Sequence, residues 1–218
     1  MTEIKDDLPL LEFADAEAFD RWLTANANAS GLWLKFAKKG GSAATLAKAD
    51  AIDCALCHGW IDGQLGRLDD DYFLTRFTPR KAGGRWSANN AKRASALVAE
   101  ERMRPRGLAE IEAAKSDGRW QAAYPSATAA KTPPDFAAAL AGSPKAAAFF
   151  AALDGANRYA LMYRLHHAKP ALRESRIAEF IAMLERGETF HGQAKAPPRQ
   201  RGSSTANKRG AGGNSTPS

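Results

Sequence analysis

Residues 58–90, HGWIDGQLGRLDDDYFLTRFTPRKAGGRWSANN, decide how the rest of the chain is read. Two runs rich in aromatic and β-branched residues, 60–67 and 72–78, flank Leu68-Asp69-Asp70-Asp71, a short acidic segment of turn-forming type. That pattern predicts two β-strands paired as a hairpin. Pro79 ends the second strand, because proline has no amide hydrogen to give a ladder. Ala82-Gly83-Gly84 then loosens the chain before Ser87 caps a helix. The stretch from Arg76 to Arg93 carries six basic residues and no acidic one, and residues 58–90 hold Trp60 and Trp86, two of the five tryptophans. Such a surface, cationic and aromatic together, reads as one that binds something.

Working outward, residues 15–26 predict a helix capped by Asp15, with Phe19, Trp22 and Leu23 on one face. Residues 31–38 alternate as a half-buried strand, with Leu32, Leu34 and Phe36 on one side and Trp33, Lys35 and Ala37 on the other. Lys38-Lys39-Gly40-Gly41 is expected to be a loop, and residues 45–58 a helix with Leu46, Ala49, Ile52 and Leu56 inward, closed by Gly59. After the hairpin, a helix from Ser87 to about Glu101 places Ala94, Leu97 and Val98 inward and is broken at Pro105. Another runs over 108–116. Residues 125–133 turn to Pro, Ala, Ser, Thr and Lys and are read as a linker. Residues 134–191 are helical throughout: Ser143-Pro144 opens one helix with Phe149 and Phe150 buried, and Pro170 opens the last, striped by Leu172, Ile177, Phe180, Ile181 and Leu184. The expected fold class is therefore α+β. A small antiparallel sheet with a hairpin packed by helices (1–124) precedes the linker, a helical C-terminal domain (134–191) and a basic tail (192–218).

The formal net charge of +7 is unevenly spread. Residues 191–218 hold five basic and no acidic side chains, so the rest of the chain carries only +2. The tail, rich in Pro, Gly, Ser and Asn and lacking aromatics, is expected to be disordered and to give at most salt-dependent, sequence-blind contacts with nucleic acid. The N-terminal residues are acidic without a continuous apolar core of a signal peptide, and no apolar run is long enough to span a bilayer. A cytoplasmic protein without membrane insertion is the expectation.

The segments GLWLKFAKK (31–39), ALCHGWIDGQ (55–64), DDDYFLTRFTPRK (69–81), RWSANN (85–90), RMRPRGL (102–108), AKSDGRW (114–120) and RESRIAEFIAMLERG (173–187) occur in that order. Together they resemble the bacterial YdeI/OmpD-associated family, named for bacteriocin protection, over roughly residues 8–191. The resemblance implies a stress or bacteriocin-protection role, with an envelope or stress-related protein among its expected partners. It brings no catalytic residues with it.

Cys54-Ala-Leu-Cys57-His58 has the spacing of a c-type haem attachment site, but on a helix the two thiols share neighbouring turns of one face, where they pack as small apolar groups. No four zinc ligands have the usual spacing, and His166-His167 lies far from the cysteines. Neither a nucleophile elbow nor a phosphate or dinucleotide loop is present, so no cofactor or metal is expected. The candidate binding residues are Trp60, Asp62, Arg76, Arg80, Trp86, Ser87, Asn90 and Trp120. Arginines leaving a strand beside a helix N-terminus form a geometry that captures phosphate or carboxylate. Equally open is a structural role, in which Arg76 and Arg80 pair with Asp62 and Asp69–Asp71 and hold the hairpin together. Two functions follow: a non-enzymatic module recognising an anionic group or a partner protein, or an enzyme on a small anionic substrate with Asp62 as base and Arg76, Arg80 and Asn90 as clamps.

Overall fold

The structure, a computed structural model, describes residues 3–38 and 45–192. Most of the expected glycine-rich loop after Lys38 and the basic tail lie outside the described residues. Five strands, β1 (Glu3–Lys5), β2 (Leu8–Leu11), β3 (Leu32–Ala37), β4 (Trp60–Arg67) and β5 (Tyr72–Pro79), form one sheet in the order β1-β2-β3-β5-β4. The helices are α1 (Ala16–Ala25), α2 (Lys48–Cys57), α3 (Ala88–Ala99), α4 (Pro105–Ser116), α5 (Pro134–Ala141), α6 (Pro144–Ala152), α7 (Gly155–His166) and α8 (Pro170–Glu185). The class is α+β with a helical C-terminal region, as the sequence predicts.

The hairpin forms as expected. β4 and β5 pair antiparallel from Trp60 opposite Pro79 to Arg67 opposite Phe73, with a bulge between Asp62 and Leu65. Asp69 closes the turn by accepting from the amides of Asp71 (2.8 Å) and Tyr72 (2.7 Å). The sheet itself is mixed and not purely antiparallel, because β2 runs parallel to β3. That pairing needs β1 and β2, which the sequence reading passed over. It also explains why β3 is not half-buried: flanked by β2 and β5, Trp33 is 1% exposed and packs with Leu8, Leu10 and Leu74, opposite the face that carries Leu32, Leu34 and Phe36.

α1 is capped as expected, with Asp15 accepting from the Ala18 amide at 2.8 Å, and it lays Phe19 and Leu23 on the sheet. α2 is shorter than predicted, beginning at Lys48, because the Thr45 hydroxyl is engaged by the Ala37 amide at 2.9 Å. Its inward face is also shifted. Ala49 is exposed, while Ala51, Cys54 and Ala55 enter the sheet core and Leu56 and Cys57 face a second cluster with Trp86, Ala94, Leu97 and Ile111. A helix buried on two sides has no single stripe to read. The same packing leaves Val98 at 42% exposed on α3. Pro105 begins α4 as its first residue, since a proline there gives up no hydrogen bond.

In the C-terminal half, α5 to α8 build a separate cluster around Phe136, Leu140, Leu161, Leu165, Phe180 and Leu184. Ser143 caps α6 through the Ala146 amide at 3.3 Å, as predicted. Two apolar expectations there fail: Phe149 and Phe150 are only half-buried, and Leu172 is 53% exposed because it sits in the first turn of α8, ahead of the contact with α5 and α6.

Candidate functional site

Arg80 leaves β5 with its amide bonded to the Gly59 carbonyl at 2.9 Å, which turns the chain at the hairpin's open end. Its side chain is 7% exposed and lies flat on Trp86, guanidinium carbon 3.5 Å from the ring centroid. Trp86 is in turn tilted against Trp120 with centroids 4.8 Å apart, so Arg80, Trp86 and Trp120 pack in a row. One hydrogen bond leaves the guanidinium, from Nη1 to the Arg85 carbonyl at 3.3 Å. Nε and Nη2 are buried without a hydrogen-bond partner, and so is Nε1 of Trp86. Burial draws the Arg80 guanidinium down to about 10, with Glu110 and Tyr124 acting against that fall, so it stays charged at neutral pH.

Among the described residues neither Arg76 nor Arg80 forms an ion pair. The acidic turn is occupied otherwise: Asp70 meets Arg67 at 3.3 Å, and Asp69 caps its own turn. The hairpin-clamp arrangement, one of the two readings left open, is not the one the chain adopts. Arg76 lies opposite Trp33 in the ladder, with Nε buried and unpartnered.

The helix start contributes less than the sequence suggests. Ser87 caps α3 by accepting from the Asn90 amide at 3.1 Å, and the Ala88 amide donates to the Tyr124 carbonyl at 2.8 Å. Two of the first-turn amides are thus already satisfied internally. The Tyr124 amide completes the bridge by donating to the Trp86 carbonyl at 3.0 Å. Trp60 stands apart from this group: it is 1% exposed, edge-on to Trp22 at 6.1 Å in the sheet core. Asp62, opposite Phe77 just before the bulge, makes no hydrogen bond or ion pair among the described residues, yet is near enough to act electrostatically on both Arg80 and Tyr124.

Tyr124 is the residue the sequence reading missed. It sits edge-on to Tyr163 (5.0 Å) and His167 (5.5 Å), and burial, then Tyr163, raises its hydroxyl above the ordinary range. Arg85 donates from Nη1 to the Tyr163 hydroxyl at 3.2 Å. His166 Nε2 is 3.1 Å from the Ala122 carbonyl, and His167 Nε2 is buried without a partner. Burial, then Arg85 and His166, pushes His167 down to about 4. The available signal was the spacing of Tyr159 and Tyr163 on α7 and His167 at its C-cap, one turn apart, which a core stripe imitates.

The cysteines are unpaired and buried, with thiols pushed up to about 11 by burial, which suits packing and not redox exchange. His58 is taken by Asp20, its Nε2 2.8 Å from Oδ1. Among the described residues no three His, Cys, Asp or Glu side chains gather as a metal site requires, and no helix is long and apolar enough to cross a membrane.

A five-stranded mixed sheet packed by helices and followed by four more helices, with a buried unpaired arginine at the sheet's end, defines an α+β protein with an extended helical C-terminal region. Residues 129–187, which span α5 to α8, match the family described as Bacteriocin-protection, YdeI or OmpD-Associated. Residues 11–110 match a domain of unknown function, DUF8412. The resemblance drawn over residues 8–191 is thereby divided: GWIDGQ, FTPRK and WSANN lie in the second match, and of the quoted segments only RESRIAEFIAMLERG lies in the first. No curated protein and no solved structure matches the chain.

Proposed function

We propose that the protein is a non-enzymatic stress or bacteriocin-protection module of the cytoplasm, and that it receives an anionic group at Arg80. The observation that carries this reading is the state of the guanidinium: 7% exposed, with two donor nitrogens unpartnered and no carboxylate paired to it. Desolvating a charge costs several kcal/mol, whereas an aromatic stack returns about 0.5–2 kcal/mol and one long hydrogen bond about 1. An arginine kept under that deficit suits an anion that arrives from outside. Trp86 Nε1 supplies another unused donor on the stacked ring, and Arg85 and Arg119 add positive charge near Tyr124 and Arg80.

The test is the melting temperature of wild type and Arg80→Met in sodium sulfate against sodium chloride at matched ionic strength. Sulfate is expected to raise the wild-type value beyond the chloride control, because a ligand of the native state stabilises by mass action. Losing a charge-assisted donor weakens binding by about 1.5–3 kcal/mol, tenfold or more, so the gain disappears in Arg80→Met. Equal sulfate shifts in both proteins would remove Arg80 as the ligand.

Asp62 supports a second reading, an enzyme on a small anionic substrate, because an unpartnered carboxylate within electrostatic reach of Arg80 is placed as a base would be. Asp62→Asn separates the two: in a binding module it leaves protection intact, in an enzyme it abolishes it.

A further inference from the structure

A recess of about 420 Å3 lies away from Arg80, among Leu23 and Ala27 at the end of α1, His58 and Trp60 at the α2–β4 junction, and Arg104, Pro105 and Arg106 at the start of α4. Its walls are held rigidly. The Arg104 amide donates to the Cys57 carbonyl at 3.1 Å, and α4 seats on the end of α2 so closely that a Cβ on Gly107 would fall 2.3 Å from that same oxygen. Gly59, at φ +70°, turns the chain between them in a conformation that other residues rarely adopt.

The polar groups around the recess are fixed from behind. Both oxygens of Asp20 are used, Oδ1 by His58 Nε2 and Oδ2 by Arg104 Nη2, each at 2.8 Å. Burial works to raise the Asp20 carboxyl, but the hydrogen bonds from His58 and Arg104 outweigh it and hold it below its usual range. Arg106 donates Nη1 to the Ala27 carbonyl at 2.6 Å. Arg104 and Arg106 are exposed and each spends a single side-chain nitrogen on these contacts, so the remaining N–H groups of both forks are free. Trp60 is pinned by Trp22.

We propose that this recess is a second ligand site, taking a small organic carboxylate with a flat apolar body. The body would rest on Ala27 and Pro105, with the buried Leu23 and Trp60 beneath them, and the carboxylate would engage Arg104 and Arg106 beside His58. A planar guanidinium fork matches a carboxylate in two parallel hydrogen bonds. The volume suits a single-ring acid, and an apolar floor with a few convergent polar groups is the usual make-up of a small-molecule pocket. A strongly hydrated inorganic dianion gains nothing from that floor, which sets this site apart from the one at Arg80.

Calorimetric titration of the full chain with benzoate tests it, with benzamide as the neutral isostere. Benzoate is expected to bind at least tenfold more tightly than benzamide. Its Kd should rise at least tenfold in Arg104→Gln and in Thr24→Trp, which fills the recess from an exposed position and leaves the Asp20 contacts alone. Arg80→Met should not change it. Should Arg104→Gln fail to fold, Thr24→Trp decides. Benzamide binding as well as benzoate, no benzoate binding, unchanged affinity in Thr24→Trp, or loss of benzoate binding in Arg80→Met would each overturn the proposal.

Discussion

At the scale of single residues, Arg80 and His167 are each held in a charge state that burial opposes or enforces. Arg80 keeps its charge while buried and unpaired, so replacing it by methionine removes a desolvation cost along with a stack on Trp86. In anion-free buffer Arg80→Met is therefore expected to melt at the same temperature as wild type or above it, as residues kept for binding often do when removed. A fall of several degrees would mean that the arginine is there for stability. His167 shows the opposite response. Its folded-state value of about 4 lies below the ordinary 6.5, so between those pH values the unfolded chain binds a proton that the folded one refuses. Stability thus falls as pH drops from about 6.5 toward 4. In His167→Phe that slope is expected to flatten, which thermal melts across the interval would detect.

At the scale of elements, α2 and α4 meet so closely at Gly107 that no side chain fits between them. Gly107 is buried, and a methyl group there would meet the Cys57 and Leu56 carbonyl oxygens at 2.3 and 2.8 Å. Backbone atoms cannot rotate away as a flexible side chain does. Gly107→Ala is expected to destabilise by about 3 kcal/mol, the upper end for overpacking, which is roughly 6–12 °C in Tm for a chain of this size. The same change should displace Arg104 and loosen benzoate binding. Ser87→Ala removes only the α3 cap and is expected to cost about 1 kcal/mol, and guanidinium-chloride unfolding of the two variants ranks them.

At the scale of the whole molecule, the core is divided. Phe136, Leu140, Leu161, Leu165, Phe180 and Leu184 pack with one another, whereas the sheet and α1–α4 bury their own clusters. Among the described residues the halves meet through Arg85 to Tyr163, His166 to the Ala122 carbonyl and the edge-on packing of Tyr124 on Tyr163 and His167, and Tyr159 ties the linker in through the Pro125 carbonyl at 3.1 Å. We propose on this basis that residues 125–133 separate two folding units. A fragment of residues 126–192 is then expected to be helical and to melt cooperatively by circular dichroism, and a non-cooperative melt would show that its core needs the first unit.

What the sequence by itself determined is local: the hairpin, the caps at Asp15, Ser87 and Ser143, the prolines that open α6 and α8, and the helical character of residues 134–191. Each rests on neighbours a few positions apart, where turn chemistry and one-sided periodicity are written directly in the residue order. Tertiary structure alone decided the rest. The parallel pairing of β2 with β3 is a long-range choice, the two-sided burial of α2 erased the stripe that would have shown its inward face, and the stacking of Arg80 on Trp86 depends on where Trp120 and Tyr124 return. An arginine in a basic run looks solvated in any sequence. Whether it is buried and unpaired depends on distant segments that close over it, and those carry no periodic signal that points back to it.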